Sequence, residues 1–411
     1  MPLIRPMISW QGPVVSQRED FVKTMAKRCL PLVLLACWLG LASTARAQDS
    51  DCDSYPFTER FEVGLDYLWA WMRGDFFPPM ATIGNVNDAV PGALGQPNTR
   101  IILGNEDIIH HEINGGRVSM VYWLNEARTL DVEGSFFILE QKTRVFNVSS
   151  NNSATDVLAK PFFNPVANQE DADPRGFPGV LAGNVNFNYT TRLMGAELNG
   201  RWFISGDNKT DGPSLSLLAG VRWLDLQESY SSAETTTELP LGTGSTFFIS
   251  DHFATNNQYV GGQLGLQFKY RLDCNLTFDL AGKCAVGPNF ETLKINGYST
   301  VLDQFGTLTA GNEGLYAQPS NSGQRNHTVV AFMPEGSASF GWEPASWLRL
   351  QVGYTFMYVT KVIRPGESID RVVNIQPVGT PEQFGPARPV ANFNQVNFWV
   401  QFVNIGVGFT F

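Results

Sequence analysis

The chain has 411 residues but only four histidines, and the places that could do acid-base or metal chemistry are few: Asp251-His252, His110-His111-Glu112 and His327. A histidine beside a carboxylate can activate water as a general base. An exposed loop histidine is more often simply solvated, however, and adjacent strand residues point to opposite faces, so His110-His111-Glu112 does not converge on one ion. The sequence therefore predicts no catalytic residues, no metal site, no cofactor and no enzymatic activity. Of the five cysteines, Cys29 and Cys37 lie in a leader, which leaves Cys52, Cys274 and Cys284. An odd number excludes a complete disulfide framework.

A second group of charged residues has a different spacing. Glu62, Asp66, Arg117, Asp131, Glu133, Glu197, Arg201, Arg222, Lys269, Asp279, Lys283, Glu335 and Arg349 each sit at every-second-residue positions within stretches whose other face is apolar. Both signs are present. Such a set lines either a polar channel that sorts small polar solutes or a lumen filled and stiffened by ion pairs.

Ten alternating stretches carry these residues. Phe61, Val63, Leu65, Tyr67, Trp69 and Trp71 oppose Glu62, Gly64, Asp66, Leu68, Ala70 and Met72, and equivalent patterns start near Arg117, Leu130, Met194, Leu215, Val260, Leu276, Val330, Leu348 and Val403. Period-two alternation is the mark of a strand with one apolar face. Long polar connections at about 73–114, 147–182, 232–250, 299–326 and 364–393 alternate with short turns, the rhythm of an outer-membrane barrel with long outer loops and tight periplasmic turns. Twelve strands would result if Asn184–Tyr189 and Thr246–Ser250 formed strands of their own. The alternation slips between Phe402 and Val403, which predicts a bulge or break there. Trp69, Trp71, Trp123, Trp202, Trp223, Trp342 and Trp347 suit interfacial girdles. Loop residues Phe76, Phe77, Phe162 and Phe163 either form a binding surface or fold inward as a plug.

Composition agrees. Charged residues are 17% of the chain, against roughly 25% in ordinary soluble domains, while 29 Phe and 39 Gly are abundant. Residues 25–47 read as a cleaved secretory signal with Lys27-Arg28, an apolar core and Ala45-Arg46-Ala47, downstream of an extension at 1–24 that reads as a start-site artefact. A lipoprotein site at Cys37 is the competing reading. Residues 48–60 are then a short periplasmic segment and 61–411 the barrel. Without residues 1–47, 23 basic residues face 37 acidic ones, about −14 in charge, which repels nucleic acid. The expected partners are outer-membrane lipid and small polar solutes.

The carboxyl terminus, Asn404-Ile405-Gly406-Val407-Gly408-Phe409-Thr410-Phe411, resembles the terminal strand by which barrel-assembly machinery receives its clients, with Asn404, Gly406, Phe409 and Phe411 carrying the signal. Further runs are Tyr67-Leu68-Trp69-Ala70-Trp71, Gly92-Ala93-Leu94-Gly95-Gln96-Pro97, Glu133-Gly134-Ser135-Phe136-Phe137, Pro161-Phe162-Phe163, Gly195-Ala196-Glu197-Leu198-Asn199, Asn257-Gln258-Tyr259-Val260-Gly261-Gly262 and Arg364-Pro365-Gly366 with Ile369-Asp370. Through these, nearly the whole chain after the leader resembles the beta-barrel porin-7 family of outer-membrane proteins, found mainly in planctomycetes. The resemblance implies a barrel in the outer membrane and supplies no catalytic residues. The expectation is an all-β, monomeric, antiparallel up-and-down transmembrane barrel of about ten strands. Its role would be a narrow porin for passive diffusion of small polar solutes, or alternatively a structural or adhesin-like barrel with a plugged lumen, with an outer-membrane hydrolase as a third reading.

Overall fold

The computed structural model describes residues 60–151, 153–206, 212–240, 244–272, 275–375 and 385–411. The expected extension, the signal and nearly all of the periplasmic segment lie outside these, as do Cys52 and Cys274. In chain order the strands are Phe61–Met72 (β1), Asp75–Phe77 (β2), Ala81–Asn85 (β3), Arg100–Leu103 (β4), Glu106–Ile108 (β5), Ile113–Trp123 (β6), Leu130–Leu139 (β7), Lys142–Ser149 (β8), Asp156–Asn164 (β9) and Gln169–Gly176 (β10). Then follow Leu181–Ser205 (β11), Gly212–Glu238 (β12), Thr246–Arg271 (β13), Leu276–Leu302 (β14), Leu308–Gly311 (β15), Gly323–Ala345 (β16), Leu348–Ile363 (β17), a helical turn at Pro365–Ser368, and Gln395–Thr410 (β18).

Ten strands close a ring in the order β1, β6, β7, β11, β12, β13, β14, β16, β17, β18 and back to β1, every pair antiparallel. Closure pairs the backbone polar groups between strands and leaves no edge, as a hydrocarbon surrounding demands. β8 continues the line of β7 along β11, and β15 folds back on β14. Leu65, Tyr67, Leu198, Val221, Leu266, Phe332 and Ile405 stand outward and exposed, where lipid covers them.

β11 to β14 are 25 to 27 residues long, more than twice the ~10 residues that span a bilayer. The barrel therefore rises beyond the membrane, and several stretches expected to be loops are strand: β12 runs on to Glu238 and β13 begins at Thr246, so most of 232–250 is ladder. Asn184–Tyr189 and Thr246–Ser250 are upper parts of β11 and β13 and not separate strands, which fixes the count at ten. The sequence hid this because the polarity of the alternation inverts. In β11, Ala196, Leu198 and Trp202 face lipid while Glu197 and Arg201 face in; higher up, Asn186 and Asn188 face out while Val185, Phe187 and Tyr189 are buried inside.

The break expected at Phe402–Val403 is absent. β18 pairs with β1 without interruption from Val400 to Thr410, and the slip arises because inward positions Phe398, Val400 and Phe402 are themselves apolar. The irregularity of this region lies in β17, between Val359 and Val362, where Lys361 takes a positive φ of 55°. Trp123 also leaves the expected girdle. It is buried, with the Arg201 and Arg128 guanidinium groups 5.4 and 5.5 Å from its ring centre.

The connections at 73–112 and 150–180 carry small sheets: β10, β9, β3 and β4 form one, β2 and β5 another. Phe77, Met80 and Phe162 from these connections pack with Phe187, Tyr230, Phe253, Leu293 and Ile295 of the barrel wall and with Leu315 and Tyr316. The loop aromatics Phe77 and Phe162 thus fold inward.

Candidate functional site in the barrel lumen

β12 reads the lumen from bottom to top, because its inward positions are Arg222, Leu224, Leu226, Glu228, Tyr230, Ser232 and Glu234, all buried. Charge, grease, charge, aromatic core and charge again follow at two-residue steps. Each tier is completed by neighbouring strands.

The periplasmic tiers contain all thirteen charged residues picked out by their spacing. Lowest, Arg201 binds Asp131 at 2.8 Å and lies 3.5 Å from Glu133, while Arg349 binds Asp279 at 2.7 Å. Gln267 links the two pairs, accepting from Arg201 and donating to Asp279. Glu62 and Lys269 line the cavity beside them. One tier higher, Arg222 bridges Glu197 and Glu335 at 2.5 and 2.8 Å, and Lys283 bridges the same two carboxylates at 2.7 and 3.3 Å. Asp66 accepts from Arg117 at 2.8 Å and from Gln351 at 2.6 Å. Cavities of about 120, 180 and 210 Å³ run through these tiers and share Ser337 and Gln351 in their walls. Each has room for several waters.

The terminal motif also serves this region. Asn404 is buried inside, Phe409 stacks on Trp347 at 6.3 Å, and Phe411 is exposed while its backbone pairs with Phe61. A Cβ on Gly406 would lie 1.9 Å from Asp66 Oδ1, so only glycine there lets Asp66 reach its partners.

Above the ion pairs an apolar layer, the septum, crosses the lumen. Leu68, Ile113, Leu139, Leu193, Leu224, Tyr259, Ala285, Met333, Met357 and Phe402 come one from each of the ten barrel strands, and none is more than 5% exposed. Nothing in the outward alternation announced it, although Leu68, Ala70 and Met72 on the supposedly polar face of β1 were a signal.

The upper charged tier joins loops to wall. Arg364, after β17, donates to Glu228 of β12 at 2.6 and 2.8 Å, to Tyr189 at 2.8 Å and to the carbonyls of Arg73 and Gly74. Asp75 accepts from the Gly366 amide at 2.8 Å, and its other oxygen has no hydrogen-bond donor. Burial, with Glu228 nearby, outweighs Arg364 and pushes the Asp75 carboxyl up to about 8. Burial pushes His110, stacked on Tyr189 at 4.9 Å, down to about 4.

The second anchor is Lys160 of β9, 3.1 Å from Glu234 and 3.3 Å from Asp251. Burial alone would lower its ammonium, but Glu234 and Asp251 hold it well above its usual value. Arg175 also binds Glu234, at 3.0 Å. Asp251 further accepts from the amides of Tyr316 and Ala317, both at 2.9 Å. His252 points to the other side of β13, so the Asp251-His252 pair is split between two faces. His327 instead contacts Glu291 at 3.0 Å. These anchors were missed because half of each lies on a loop, although Glu228 and Glu234 continue the inward parity of Arg222, and Arg364-Pro365-Gly366 was already picked out by resemblance.

No curated protein matches the chain. Among solved structures, the outer membrane protease OmpT of Escherichia coli aligns at 9% identity and TM-score 0.36, covering 88% of this chain and all of that one. The attachment invasion locus protein Ail of Yersinia pestis aligns at 9% and 0.22, covering 86% and 99%, and a FadL homologue of Pseudomonas aeruginosa at 9% and 0.21, covering 86% and 90%. Similarity at this level bears on neither activity nor ligand. The family profile described as Putative beta barrel porin-7 matches residues 63–411, and the chain, a ten-stranded barrel of the outer membrane, belongs to that family.

Proposed function

We propose that the protein is a plugged outer-membrane barrel that holds a structured extracellular surface on a rigid, sealed stem. The observation that carries this reading is the septum: every barrel strand contributes a buried apolar side chain to one layer across the lumen. A hydrated ion or sugar would have to lose its water to pass it. Above the septum the loops add a second closure, fastened by Arg364 and Lys160. The reading assigns no reaction to the chain.

A second reading is a narrow porin for small polar solutes that conducts once the plug is displaced. The polar cavities below the septum favour it, since solutes could enter them from the periplasm. Single-channel recording in planar bilayers separates the two. The plugged reading expects silence from the native protein over a range of voltages and both polarities, and discrete conductance steps in the native chain would sink it in favour of the porin.

A further inference from the structure

The outward face of β11 to β16 carries a polar groove that plays no part in closing the lumen. Its place follows from strand register. Leu198, Val221, Gly262, Val286 and Phe332 lie in one cross-strand row facing lipid. Three rows higher, at about 7 Å per row, the row is Arg192, Gln227, Asn256, Thr292 and Asn326, wholly polar. The next is Thr190, Ser229, Ala254, Lys294 and Gln324. Between grease and polarity comes a mixed row in which Met194 and Phe290 accompany Asp225, Gln258 and Thr328. The hydrocarbon boundary on the extracellular side therefore falls at the mixed row.

A groove of about 450 Å³ is cut into the two polar rows, with Arg192, Lys294 and His252 in its wall among amide and hydroxyl side chains. Glu228 also borders it but turns its carboxylate inward to Arg364. Asp225, in the mixed row below, accepts from Gln227 at 2.7 Å.

We propose that this groove binds the phosphorylated headgroup of a glycolipid in the outer leaflet. Two cations with surrounding amides and hydroxyls match a sugar phosphate, which needs charge for the phosphate and neutral donors and acceptors for the ring. The position selects a lipid over a soluble phosphate: acyl chains lying on Val221, Val286 and Phe332 place the headgroup at the height of Arg192 and Lys294. The groove also keeps the plane of the membrane fixed on the barrel, because a bound headgroup ties the polar rows to the leaflet surface.

The test uses the full chain in detergent micelles with diphosphoryl lipid A as probe, read by native mass spectrometry and by the thermal shift on lipid addition. The native protein should retain one lipid A per barrel and melt higher with it. Arg192→Gln with Lys294→Gln should weaken retention about thirtyfold, the scale expected for two interfacial cations. The charge-matched control Arg60→Gln with Arg100→Gln, on exposed residues elsewhere, should bind as the native protein does. Circular dichroism of both variants establishes that the barrel is folded. Equal retention by the Arg192/Lys294 variant, equal binding of dephosphorylated lipid A, or displacement of the lipid by millimolar inorganic phosphate would each overturn the proposal, the last by pointing to a soluble phosphate.

Discussion

Arg364 and Glu228 meet inside the barrel, 136 residues apart in sequence, through two hydrogen bonds of 2.6 and 2.8 Å, with both side chains almost fully buried. One belongs to a loop and the other to the wall, so their contact fastens the loop to the barrel. The Arg364 guanidinium also lies 5.5 Å from the ring centre of Phe398, at the top of the septum. Arg364 thereby touches both the loop anchor and the apolar layer below it.

Removing one partner of a buried pair strands the other charge, which costs about 3–5 kcal/mol. Arg364→Met should therefore lower the unfolding free energy by that amount and release the loops. Measured by urea titration in micelles, the double variant Arg364→Met with Glu228→Gln should recover part of the loss, since no unpaired charge remains. A double variant as unstable as the single one would show that Arg364 acts by shape and not by charge.

Two loop groups give the plug opposite pH responses. His110 titrates near 4 when folded against about 6.5 when free, so its contribution is complete above 6.5 and is lost as pH falls from 6.5 through 4. Asp75 is raised to about 8, so its contribution is complete below about 4 and is lost as pH rises through 8. Limited proteolysis of the loops should accelerate at both ends of the range. His110→Phe should remove the acid limb and Asp75→Asn the alkaline limb, each leaving the other in place.

The facing of the strands can be tested by placing the same cation on each side of the wall. Leu266 is outward and half exposed, so Leu266→Arg should cost about 2–4 kcal/mol if near the bilayer midplane. Ser337 borders all three lumen cavities, two of which Glu197 also lines, so Ser337→Arg should cost much less. Folding titrations into vesicles compare the two, and equal losses would contradict the assignment of lipid and lumen faces.

Phe411 contributes little buried area, yet its backbone closes the β1–β18 seam at Phe61. Phe411→Ala should leave the refolded protein as stable as the native one in micelles while lowering the amount assembled in cells. An unchanged cellular level would remove the terminal phenylalanine from the assembly signal. Gly406→Ala, by contrast, should destabilise the refolded barrel, because the added methyl meets Asp66.

The amino-acid order alone specifies the barrel and its inner charges. A period of two is enforced residue by residue by strand geometry, so outward grease and inward charge are legible wherever one face meets lipid, as at Leu198 and Glu197. It did not determine where that contrast ends. Past Arg192 the wall leaves the membrane, water replaces hydrocarbon outside and loop side chains replace water inside, and the same parity carries the opposite polarity. The apolar layer across the lumen and the Arg364 and Lys160 anchors emerge only on folding, because they are assembled from residues on every barrel strand and several loops. No local pattern records which loop side chain will neutralise Glu228 or Glu234; closure of the ring brings them within hydrogen-bond reach, and burial makes that pairing obligatory.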